Sequence, residues 1–226
     1  MIRLGVKRTC LLGILCASPW SAAAAPCQLS NSPTDVSVDF EAMKLSEVVD
    51  TSSDQIRQLA IAAGKEDHLP LFGYYTAVIT YETRINSQVA HIGSTSFCAS
   101  PQSVKVILML SNRVIHLAEE TKSNACLYSA AREHARLHAQ ADERALADHA
   151  AALSISLRSS LRNLALTTAG TEQAAESQTA ALITAQVERG LSVIEQLRTE
   201  ANNSVDSPSE LARLHAKCRA HNEGEL

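Results

Sequence analysis

An α+β fold, with a small antiparallel meander sheet followed by a long antiparallel helical hairpin, is predicted by three observations on the 226-residue sequence. Beyond residue 25 every aromatic side chain lies between Phe40 and Tyr128. Past Tyr128 the chain turns to Ala, Leu, Ser, Gln and Glu, which suit helices as aromatic and β-branched residues suit strands. The apolar residues also change period, from two in the first part to three and four in the second. The expected layout is a signal peptide over residues 1–25, an α+β segment with a four-strand meander over 26–124, and a helical hairpin with a short C-terminal helix over 125–226.

Residues 1–25 carry a basic start (Arg3, Lys7, Arg8), a short apolar run (Thr9 to Ala17) and a small-residue stretch (Ser21 to Ala25). This is the pattern of a secretory signal, and the apolar run is far short of the roughly 20 residues that span a bilayer. The expectation is a periplasmic or secreted protein of a bacterial envelope, with no integral membrane segment once the signal is removed. Removal takes three cations and no anion, so a formal charge of −4 falls to about −7. With that charge, and no Lys/Arg cluster outside the first eight residues, nucleic acid is excluded as a partner. An unidentified protein partner stays open.

The elements follow in order. Val36 to Phe40 alternates as a short strand. Ser52 and Gln55 form a capping box before a helix over Gln55 to Ile61, which ends near Gly64. Tyr74 to Thr83, Gln88 to Cys98, Val104 to Leu110 and Arg113 to Ala118 read as the four meander strands. One helix then runs from about Cys126 to Leu166, with Leu146, Ala150, Leu153, Leu157, Leu161 and Leu164 on its stripe. Gly170 breaks it and Thr171 caps a second helix with Ile183, Val187, Leu191 and Ile194 on its stripe. Asn202-Asn203-Ser204 ends that helix. Ser207-Pro208-Ser209-Glu210 opens a last one, carrying Leu211, Leu214 and Cys218.

Four cysteines outlast the signal, Cys27, Cys98, Cys126 and Cys218, and an even count in an exported chain suggests two disulfides. In a meander the ends of strands two and four share an edge, which favours Cys98–Cys126 with Cys27–Cys218. Cys126–Cys218 with Cys27–Cys98 is the alternative.

Chemistry concentrates in Arg132 to Asp142. His134 and His138 are four apart, so on a helix both imidazoles leave one face and could bind one metal ion, zinc being the natural candidate. Asp142 continues that face, as a further ligand or as a group that orients His138. The plainer reading is a polar helix face with two solvated histidines. In H-E-x-x-H zinc enzymes the glutamate after the first histidine activates the metal-bound water. Here that position is Ala135, and Glu133 points about 200° away from it around the helix. His116 with Glu119 and Glu120, and the His215 to His221 stretch, are weaker clusters. No nucleophile elbow, phosphate loop or dinucleotide fingerprint is present.

The order of motifs resembles exported bacterial zincin-like proteins of unassigned function. The residues that carry it are Phe97-Cys98-Ala99, Val104 to Leu108, Val114 to Glu119, Cys126-Leu127-Tyr128, His134 to His138, and Asp206-Ser207-Pro208 before Cys218. The resemblance implies a degenerate H-E-x-x-H helix with His134 and His138 as the histidine ligands, and Ala135 implies lost hydrolysis. Three functions follow as expectations: a non-hydrolytic metal-binding module; a metal-free envelope module built on the helical hairpin; and an active metallopeptidase drawing its base from Glu133 or Glu188. Restoring a glutamate at 135 is the direct way to separate the first from the last.

Overall fold

The computed structural model describes residues 33–64, 72–92, 94–164 and 168–223. The signal reading of residues 1–25, and Cys27, lie outside the described residues. Among the described residues, five strands and four helices follow one another as β1 (Asp35–Ala42), β2 (Ser46–Thr51), α1 (Ser53–Ala62), β3 (Gly73–Ile92), β4 (Ser96–Ala118), α2 (Ala125–Arg162), β5 (Thr168–Ala169), α3 (Glu172–Val205) and α4 (Pro208–Glu223). A 3-10 turn, Glu119–Ser123, links β4 to α2. The mixed helix-and-sheet class is as expected.

The sheet is not the expected antiparallel meander. Tyr74 to Thr83 and the start of Gln88 to Cys98 merge into β3, and the rest merges with Val104 to Leu110 and Arg113 to Ala118 into the 23-residue β4. β3 pairs antiparallel with β4 from Gly73↔Leu117 to Ile92↔Ser96. On the other flank of β4, β5, β1 and β2 lie end to end, the last two parallel to it and β5 antiparallel.

Two bulges divide β4 into three stretches, and this is why the sequence reads as separate strands. The pairing passes from Asn86↔Ser103 to Ser87↔Pro101, leaving Gln102 extra, and from Thr76↔Val114 to Val78↔Ser111, so that Asn112 and Arg113 together oppose Ala77. Asn112 takes a left-handed backbone, φ 49°, as an asparagine tolerates at a bulge. Each bulge inverts the alternation. Val104, Val106, Leu108 and Leu110 are buried before Asn112, and Arg113, Ile115 and Leu117 after it.

α2 returns along β4 from its C-terminal end. Ala135 and Ala139 pack on Tyr75, Ile115 and Leu117. Further along, Leu146, Leu153, Leu157 and Leu161 join Val36, Val104, Val106, Leu108 and Leu110 in the main core, with Ile183, Val187 and Ile194 of α3. The core is therefore built jointly by the sheet and the long helices. Two glycines permit close approach. A Cβ on Gly73 would lie 2.8 Å from the Ala131 carbonyl oxygen, and one on Gly190 would collide with Leu153 Cδ1. The caps agree with the sequence: Ser52 and Gln55 form the capping box, Thr171 accepts from Ala174 N–H, and Pro208 opens α4.

Cys126 is bonded to Cys218, with Cα atoms 5.5 Å apart, which corrects the favoured Cys98–Cys126 pairing. Because β4 carries the chain away from Cys98 to Ala118 at about 3.3 Å per residue, those two cysteines are held several tens of ångströms apart. Cys98 is itself disulfide-bonded.

Candidate metal centre

The site forms where α2, the end of α3 and the start of α4 meet. His134 and His138 project from the third and fourth turns of α2, and Asp206 is the C-cap of α3. His138 Nε2 lies 3.0 Å from Asp206 Oδ1 and 3.3 Å from His134 Nε2, and His134 Nε2 lies 3.3 Å from Asp206 Oδ1. The imidazoles are mostly buried, with 17% and 15% of their side-chain surface exposed, while Asp206 keeps 39%.

These edges have a chemical meaning. A tetrahedral ion with bonds of about 2.0–2.2 Å to nitrogen and oxygen separates neighbouring ligand atoms by roughly 3.3 Å. His134, His138 and Asp206 could hold such an ion, and a nitrogen–nitrogen–oxygen donor set suits a borderline divalent metal. Among the described residues these three form the one His/Cys/Asp/Glu group of that kind.

Asp142 does not join the three. Its side chain is fully buried and paired bidentately with Arg198, at 2.8 and 3.1 Å. It reaches the histidines through Asn202, whose Nδ2 donates to Asp142 Oδ1 at 2.7 Å while its Oδ1 lies 2.7 Å from His138 Nδ1. The third ligand-type atom comes from Asp206, which sequence reasoning noted only as part of a motif. The signal was available: stepping by fours along α3 from Ile194 gives Arg198, Asn202 and Asp206.

Other elements complete the surroundings. The hydroxyl of Tyr74, raised by burial above the ordinary tyrosine range, lies within reach of the charges of Arg198 and Asp206. Glu133 turns away to α4, where Lys217 and Arg213 hold its carboxyl below the usual range. Ala135 is fully buried on the sheet side of α2. A glutamate there would put a carboxylate into an apolar layer, so that substitution would test packing rather than restore a base.

The weaker clusters are engaged elsewhere. His116 Nε2 lies 3.1 Å from Thr76 Oγ1. Glu119 pairs with Lys122, Glu120 accepts from Ser53 at the start of α1, and Glu188 accepts from Tyr81. The side chains of His215 and His221 lie outside the described residues. No helix among the described residues is long and apolar enough to cross a membrane. Comparison with family models, with curated proteins and with solved structures finds no match to this chain.

Proposed function

We propose that the chain is an exported, zincin-like, non-hydrolytic protein in which α2 and α3, as an antiparallel helical hairpin, present one zinc ion on His134, His138 and Asp206. The observation that carries this reading is the set of 3.0–3.3 Å edges among the three ligand atoms. Bound zinc would supply Lewis acidity and a strong positive charge. The chain's own residues would hold it, and would cross-link the α3–α4 junction to α2. The absence of hydrolysis is supported by Ala135, which faces the sheet, and by Glu133, which is engaged by Lys217 and Arg213. Export is supported by the pattern of residues 1–25 and by the Cys126–Cys218 disulfide, a bond that suits an oxidising compartment.

Metal content by mass spectrometry on oxidised protein tests the reading. Close to one zinc per chain, lost in a His134→Ala/His138→Ala double variant, is expected. No metal in either protein would overturn it, and cleavage of casein by the wild type would overturn the non-hydrolytic part. A second reading, a metal-free interaction module, is favoured by Ile155 on α2 and Val193 on α3, which stay 67% and 57% exposed. A mass in light scattering that rises with concentration would support it.

A further inference from the structure

We propose that Asn202, held by Asp142 and Arg198, is a positioning residue that fixes the proton of His138 on Nδ1 and so turns the Nε2 lone pair toward the cation site. The inference rests on the metal reading above and adds the means by which the chain prepares one ligand before any ion arrives.

The argument is one of donors and acceptors. The Asn202 amide nitrogen carries two hydrogens, and it meets Asp142 Oδ1 at 2.7 Å and the Arg198 carbonyl oxygen at 3.0 Å. Both are acceptors. A flipped amide would set an oxygen against two oxygens, so the orientation is fixed. Asn202 Oδ1 therefore faces His138 Nδ1, 2.7 Å away. An acceptor at that distance requires the ring nitrogen to donate. In the neutral imidazole, the form that can ligate a cation, the one N–H is then on Nδ1, and Nε2 keeps its lone pair on the side where His134 Nε2 and Asp206 Oδ1 lie. Asp142 cannot swing away, because it is fully buried and gripped through both oxygens by Arg198.

His134 has no such support among the described residues, where its Nδ1 is buried without a hydrogen-bond partner. The two histidines are thus unequal ligands: His138 is preset, and His134 adapts to what the other two bring. Partners of this kind around a metal-binding histidine typically change affinity by roughly 10- to 100-fold.

The test is made on the oxidised full chain, uniformly ¹⁵N-labelled and stripped with a chelator. Long-range ¹H–¹⁵N spectra should show His138 protonated on Nδ1 in the wild type and shifted to the Nε2–H form in Asn202→Leu. A zinc competition titration should show Asn202→Leu weaker by roughly 10- to 100-fold, with its far-UV circular dichroism unchanged. If the leucine variant does not fold, Asn202→Ala carries the same two readouts. A wild-type His138 protonated on Nε2 overturns the proposal. So does a variant with unaltered tautomer and affinity. A wild type that takes no zinc yet shows the tautomer change sinks the metal reading and leaves the positioning of His138 standing.

Discussion

The seam between α2 and α3 has two stretches with the same spacing and opposite chemistry. On α2 one face carries His134, His138, Asp142, Leu146, Ala150, Leu153, Leu157 and Leu161 in steps of four and three. α3 answers with Ile183, Val187, Ile194, Arg198, Asn202 and Asp206. In the apolar stretch Leu157, Ile183 and Val187 are at most 1% exposed and need only apolar neighbours, which each other and the sheet supply. In the polar stretch each buried group needs a particular partner: Asp142 has Arg198, and His138 has Asn202. Leucines would fill those positions with no such requirement, and buried ion pairs rarely stabilise more than a well-packed apolar pair. The difference teaches that a continuous packing stripe can change content without changing geometry. It also teaches that a polar end kept at that cost is where a function is to be sought.

Breaking the polar stretch should have the largest effect. Asp142→Ala leaves Arg198 in a largely buried setting with only the exposed Glu195 as counter-charge, and leaves Asn202 without its carboxylate acceptor; it should lower stability by about 3–5 kcal/mol in urea unfolding. Truncating the apolar stretch comes next. Leu157→Ala should cost about 3 kcal/mol through lost burial and the cavity left behind. Making the two stretches alike sharpens the comparison further. The double variant Asp142→Leu/Arg198→Leu should lie within about 1 kcal/mol of the wild type or above it, and under the proposed metal reading it should lose zinc affinity because Asp142 no longer holds Asn202.

The smallest effect belongs to the rim. Lys217 and Arg213 favour the ionised form of Glu133 in the folded protein. Its contribution is therefore present above the usual carboxylate range and is lost as the pH falls through the lowered folded value. Glu133→Gln should remove that part of the acid limb, at a cost below about 1 kcal/mol near neutrality, since the pair is partly exposed. Thermal unfolding against pH from 3 to 7 would measure it, and an unaltered acid limb would count against the pairing.

Local chemistry was legible in the sequence. The Ser52–Gln55 box, the Thr171 cap, Pro208 at the start of α4 and both helix stripes depend on neighbours within a turn or two, and stand where expected. What depended on distant partners was not legible. The bulges at Gln102 and Asn112 break the alternation of β4, so a single strand resembles several, and the disulfide pairing inferred from those strands followed the error. The parallel course of β1 and β2 is set by how they dock on β4. Of the site, His134 and His138 could be read because they share one helix. Asp206 could not be read as their companion without knowing that the end of α3 comes back beside them.

The Cys126–Cys218 bond shortens the path between the candidate ligands His134 and Asp206. Along the backbone His134 and Asp206 are 72 residues apart, but His134 is 8 residues from Cys126 and Asp206 is 12 from Cys218. Once oxidised, the chain offers a route of 20 residues, which keeps the effective concentration of one ligand around the other high even when α3 and α4 momentarily lift away. A site gathered from distant parts of the polypeptide then re-forms as the ends of a short tether would.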